Sequence, residues 1–166
     1  MEPITWRLSH RGEPAALKIA DKHYSRQKPG TPQFVKPGRC IVFMANDHSA
    51  LWVTSWPYAQ YVKHEWAGAW ENSLFHRITD SPYLARDLIE QAVAVTRFLY
   101  GPPPELGIIT IIDPRKVRST NPGYCYQKAG WKRIGTTKAG LPVFGQTPDE
   151  MPDPAPPYGY QTRLVV

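Results

Sequence analysis

Residues 81–101 read SPYLARDLIEQAVAVTRFLYG, and residues 107–112 read GIITII after a run of three prolines. In the first stretch Leu84, Leu88, Ala92, Val95 and Leu99 recur at helical spacing, and Ala85, Ile89 and Thr96 widen the apolar stripe. Ser81 is placed to cap a helix over 82–100, Pro82 suits its first position and Gly101 its end. The second stretch is short, apolar and β-branched, the composition of a strand buried on both faces. A long amphipathic helix followed at once by a buried strand predicts an α/β domain.

Working outward, residues 39–45 and 50–56 are apolar runs separated by Asn46, Asp47, His48 and Ser49, a hairpin signal. Residues 71–78 fit a strand. Residues 15–24 fit a short helix opened by Pro14. A short helix is expected within 121–130, and residues 132–136 and 141–145 fit a final hairpin. The first twenty residues are too polar and too interrupted for a secretory leader. No apolar run approaches a membrane span. The predicted organisation is one domain over 1–146 with a proline-rich, extended tail over 147–166 that has no core of its own. The two cysteines, Cys40 and Cys125, are expected as free thiols in a reducing, cytoplasmic setting, a disulfide being the alternative.

The chain carries a net charge of +6. Five basic residues and no acid lie between Lys22 and Asn46, and seven basic residues and no acid between Arg115 and Gly140. Two such stretches make either a polyanion footprint or a solvated basic surface. Trp52, Trp56, Trp66 and Trp70, with Tyr58 and Tyr61, serve mainly as core, with one or two free to line a base pocket. His64, Glu65 and His76 do not form a metal-ligand pattern, because adjacent residues do not share a face.

The stretch Gly123–Trp131, GYCYQKAGW, followed by KRIG, resembles the last helix and strand of N-acyltransferases of the GNAT superfamily. The resemblance implies a mixed, mostly antiparallel central sheet flanked by helices, and a tyrosine, here Tyr126 with Tyr124 beside it, that protonates a leaving thiol. The chain departs from that pattern in residues 75–83, FHRITDSPY, where no glycine is available to cradle the pyrophosphate of acetyl-CoA. The donor is therefore open between an acyl-CoA and another activated compound. Asp21 to Arg26, DKHYSR, further resembles phage DNA-modification proteins of the Mom type. That resemblance implies catalytic roles for His23, Asp113, Ser119 and Tyr126, and substrate contacts from Tyr24 and Arg77.

Each residue also has a plainer role. His23 is either a proton acceptor that works near neutrality or a helix-end histidine bonding a carbonyl. Asp113 ends the apolar strand, where it either faces a ligand or caps a turn. Ser119 is a nucleophile or a turn former. Tyr24 and Tyr126 are core aromatics or site residues, and Arg77 is a surface cation or an anion clamp. Arg26, Lys28, Lys116 and Arg118 are assigned to phosphates. The expected function is transfer of a small acyl or carbamoylmethyl-like group to a nucleobase amine in DNA, adenine N6 first. The alternatives are an ordinary acyl-CoA-dependent N-acyltransferase on a small amine or protein, and a non-catalytic nucleic-acid-binding module. DNA is the expected partner, a second copy of the chain is the other considered, and no membrane is implied.

Overall fold

The computed structural model describes residues 2–23, 30–31, 38–115 and 121–161. Its elements are β1 (Trp6–Ser9), α1 (Pro14–Ala20), β2 (Gly38–Ala45), β3 (Ala50–Pro57), β4 (Trp70–Arg77), α2 (Ala85–Tyr100), β5 (Ile108–Ile111), α3 (Tyr124–Lys128), β6 (Lys132–Thr136) and β7 (Pro142–Gln146). The strands form one seven-stranded sheet in the order β1-β2-β3-β4-β5-β7-β6. Every neighbouring pair is antiparallel except β4 with β5. The fold is thus mixed α/β with few helices. Among the described residues no helix is long and apolar enough to cross a membrane.

Alternation along the strands sends side chains to both faces of the sheet, because successive residues of a strand face opposite ways. On one face Ala16, Ile19 and Ala20 of α1 pack on Val42, Met44, Leu51, Val53 and Leu74. On the other, Leu88, Ile89, Ala92, Val93 and Val95 of α2 pack on Trp6, Phe43, Trp52, Trp70 and Ile108, joined by Tyr126 and Trp131.

The long helix begins later than its sequence suggests. Leu84, not Ser81, is the N-cap residue, and Leu84 is exposed rather than part of the stripe. The Ser81 hydroxyl is instead hydrogen-bonded to that of Ser49 (2.8 Å) in the β4–α2 connection. Through its middle the helix is buried on more than one side, from Gln91 to Thr96. The cause lies in the C-terminal segment. Met151 inserts into the larger core, Arg97 donates to the Pro152 carbonyl (2.7 Å), Ala155 N–H to the Ala94 carbonyl (3.1 Å), and Tyr158 N–H to the Trp6 carbonyl (2.7 Å). The proline-rich tail opens with a short 3₁₀ turn (Pro148–Glu150), and from Met151 to Pro157 it forms neither helix nor strand and is pinned along α2 and the β1 edge. Strand β1 was not visible in the sequence: it has four residues, one partner strand, and an outward Leu8.

Candidate functional site

The parallel contact between β4 and β5 is short. It pairs Trp70 with Ile108 and Glu71 with Ile109 and then ends. Just beyond, the β3–β4 register shifts, with Val53 opposite Leu74 and Thr54 opposite Asn72, so Ser73 is an extra residue in β4. A bulge of this kind bends its strand and increases local twist. Asn72 repairs the ladder there: its amide donates to the Val53 carbonyl (3.1 Å) and the Leu74 carbonyl (2.9 Å). The Thr110 hydroxyl donates to the Asn72 carbonyl (3.1 Å), the last link before the strands part.

The parting opens a cavity of about 360 Å³, a size typical of small-molecule sites. Its walls are β4 from Asn72 to His76, β5 and its end from Thr110 to Ile112, the α3 residues Cys125 and Tyr126, and Lys22 and His23 after α1. Two of the residues singled out in the sequence, His23 and Tyr126, therefore meet at one cavity although they approach from helices on opposite faces of the sheet.

Tyr126 is buried, and its hydroxyl donates to Asn72 Oδ1 (2.5 Å). Its position depends on Gly123, whose φ of +87° starts α3 in the left-handed region, where a Cβ would lie 2.5 Å from the Phe144 ring. Burial, with a smaller contribution from His76, holds the His23 imidazole down to about 4, so it is neutral at pH 7. His76 is lowered too, first by burial and then by Lys22. The two rings stand edge-on, 6.3 Å apart between centroids. Burial pushes the Cys125 thiol up, which keeps it protonated at neutral pH.

Other expected site residues are placed elsewhere. Asp113 is buried but does not line the cavity. Its carboxylate accepts the Arg115 backbone N–H (3.0 Å) and the Arg115 guanidinium (3.1 Å), which is the turn-capping arrangement. Arg77 also stands apart from the cavity. Its guanidinium donates to the Tyr83 carbonyl (2.5 Å) and the Ser81 carbonyl (2.9 Å), tying down the β4–α2 connection. Tyr124 is half exposed under the Lys128 ammonium, 5.3 Å from the ring centroid, and does not line the cavity. Tyr24, Arg26, Lys28, Lys116, Arg118 and Ser119 lie outside the described residues. None of the four tryptophans of residues 52–70 lines the cavity; Phe75 and Tyr126 supply its aromatic walls. His64 lies near Glu71 (3.8 Å) and His76 beside His23, so the two histidines serve different places.

Sequence reasoning missed Asn72, Thr110 and Lys22, and gave His76 no role in the cleft. The signal was present in residues 70–77, WENSLFHR, where Asn and His interrupt a strand between apolar residues. Asn is depleted in strands, so a buried one marks a position with a special hydrogen-bonding task. Comparison with family models, curated proteins and solved structures finds no match to this chain.

Proposed function

We propose that the β4–β5 cleft is the active site of a GNAT-like group transferase of the Mom type, which adds a small acyl or carbamoylmethyl-like group to a nucleobase amine in DNA, adenine N6 first. The observation that carries this reading is that His23 and Tyr126 line one cavity of about 360 Å³ where the parallel pair β4 and β5 parts. The strand order, with an antiparallel hairpin following β5 and inserting β7 beside it, favours the GNAT-like arrangement over other mixed sheets.

The roles follow from the chemistry. An exocyclic amine on a nucleobase is a weak nucleophile because its lone pair is delocalised, so it needs a base and a rigidly held donor. His23, neutral at pH 7, accepts the proton from the attacking nitrogen. The nitrogen forms its bond to the donor carbon as the bond to the leaving group breaks. The Tyr126 hydroxyl, positioned by its bond to Asn72 Oδ1, turns its one proton from that oxygen to the leaving group and is reprotonated from water after the transfer. Asp113 and Arg77 are structural in this scheme. The net charge of +6 favours a polyanionic substrate. A glycine-free β4–α2 connection, braced by Arg77, favours a donor other than ordinary acetyl-CoA.

The test is to express the chain in a bacterial host, digest the DNA to nucleosides and weigh them. A mass-shifted nucleoside that disappears with His23→Ala and Tyr126→Phe is expected. An unchanged profile from folded protein supplied with host extract as donor source sinks the proposal. Tight binding of acetyl-CoA by the purified chain would transfer support to an ordinary N-acyltransferase.

A further inference from the structure

We infer that His76 is paired with His23 as one proton-handling unit in the β4–β5 cleft, His23 taking the proton of a neutral amine and His76 relaying it to solvent. The inference rests on the cleft being the reaction site and adds a residue and a proton path to it. Three features of the structure lead to it.

First, the rings come from unrelated parts of the chain, His23 after α1 and His76 from β4, and both line the same cavity. Their edge-on stance at 6.3 Å is too long for a direct ring-to-ring hydrogen bond and suits one intervening water or one substrate N–H.

Second, the surroundings allow the pair one added proton at a time. Lys22 precedes His23 and is the cation acting on His76. Asp21 directs both carboxylate oxygens to the Gly30 N–H (3.1 and 3.0 Å). From α3 the facing groups are the Cys125 thiol and the Tyr126 hydroxyl, and among the described residues lining the cavity there is no acid. A second positive charge beside the first meets no carboxylate among the described residues that line the cavity.

Third, His23 is the more deeply buried ring. A buried base that has taken a proton needs a path by which that proton reaches solvent. A second imidazole in the same cavity offers one, since it accepts on one ring nitrogen and releases from the other. The balance is simple. The amine N–H bond breaks, its electron pair remains on nitrogen for the new bond to the donor, and the proton goes to His23. It then passes to His76 as the other His76 nitrogen yields one proton to water. No oxidant or reductant is required. His76 acts through His23 and is a positioning residue.

The experiment follows histidine ring resonances of the full-length, isotope-labelled protein by NMR against pH, with His23→Gln to assign the ring. In the parent chain the two rings are expected to titrate as a coupled pair, each curve carrying two steps. In His76→Gln, His23 is expected to titrate as a single site with its midpoint moved upward. An identical His23 curve in parent and variant overturns the inference. His76→Asn, with a backbone spectrum matching the parent, guards against a folding defect in one variant. The rate of nucleoside modification supplies the second arm: His76→Gln is expected to lose about tenfold or more and to shift the acid limb of the pH profile. A parent-like rate and pH profile in that variant also overturns the relay. If the parent modifies no nucleoside, the proposed reaction fails, while coupled or independent ring titration still decides whether the pair exists.

Discussion

Replacing Tyr126 by phenylalanine removes one hydroxyl and leaves the ring in place against Trp131 (centroids 5.0 Å apart) and Phe75 (6.4 Å apart). What is lost is the bond to Asn72 Oδ1. A buried acceptor deprived of its donor costs about 1–3 kcal/mol. Asn72 borders the cavity, so water can take up part of the acceptor's demand, and the expected loss is about 1–2 kcal/mol. Asn72→Ala removes the same bond together with two donors that bridge the β4 bulge, so it should cost more, about 2–4 kcal/mol. The double variant should then be less destabilised than the sum by about 1 kcal/mol, because both single changes break the shared bond. Urea unfolding followed by tryptophan emission reads these differences, with Trp131 and Trp52 close to the site. In the modification assay Tyr126→Phe should lose about a hundredfold, the contribution expected of a positioned proton donor. Full stability in Tyr126→Phe, together with additivity in the double variant to within about 0.3 kcal/mol, would refute the idea that Asn72 holds the hydroxyl.

The pH dependence of stability carries the mark of His23. Its folded-state value lies near 4, below the ordinary 6.5, so the unfolded chain takes up a proton first as pH falls. Its contribution is intact above about pH 6.5 and is lost progressively down to about pH 4, up to roughly 3 kcal/mol in all. His23→Gln should flatten that part of the curve in urea titrations at pH 7.5, 5.5 and 4.5, and an unflattened curve counts against a buried neutral imidazole. Gly123→Ala combines a left-handed φ with a Cβ 2.5 Å from the Phe144 ring, so it should cost about 2–4 kcal/mol and displace Tyr126. Urea midpoints and loss of modification activity check it together. Met151→Ala should lower stability by about 2–4 kcal/mol, measured by urea unfolding; a value near zero would mean that the C-terminal segment does not seal the core.

The elements that were legible in the sequence are those whose own periodicity outweighs their surroundings. Residues 39–45 and 50–56 appear as β2 and β3 within a residue, and residues 107–112 contain β5. The start of α2 was misplaced because Ser81 and Pro82 satisfy local capping rules, whereas Arg77 and Ser49 hold that segment in a loop. His23 and Tyr126 were singled out through a resemblance of short motifs, and both line one cavity. Asp113 and Arg77 came from the same source, and the hydrogen bonds made by their side chains direct them to turn and loop instead.

By itself the sequence determined the class of domain, since the apolar pattern of each segment, spaced near 3.6 for α2 and confined to short runs for the strands, is a local property of the chain. Where β4 and β5 part, which polar groups face that opening, and what covers the back of α2 were decided only in three dimensions. These depend on partners distant in sequence, Val53 against Asn72 and Ala155 against Ala94, whose hydrogen bonds exist only once the chain has closed on itself.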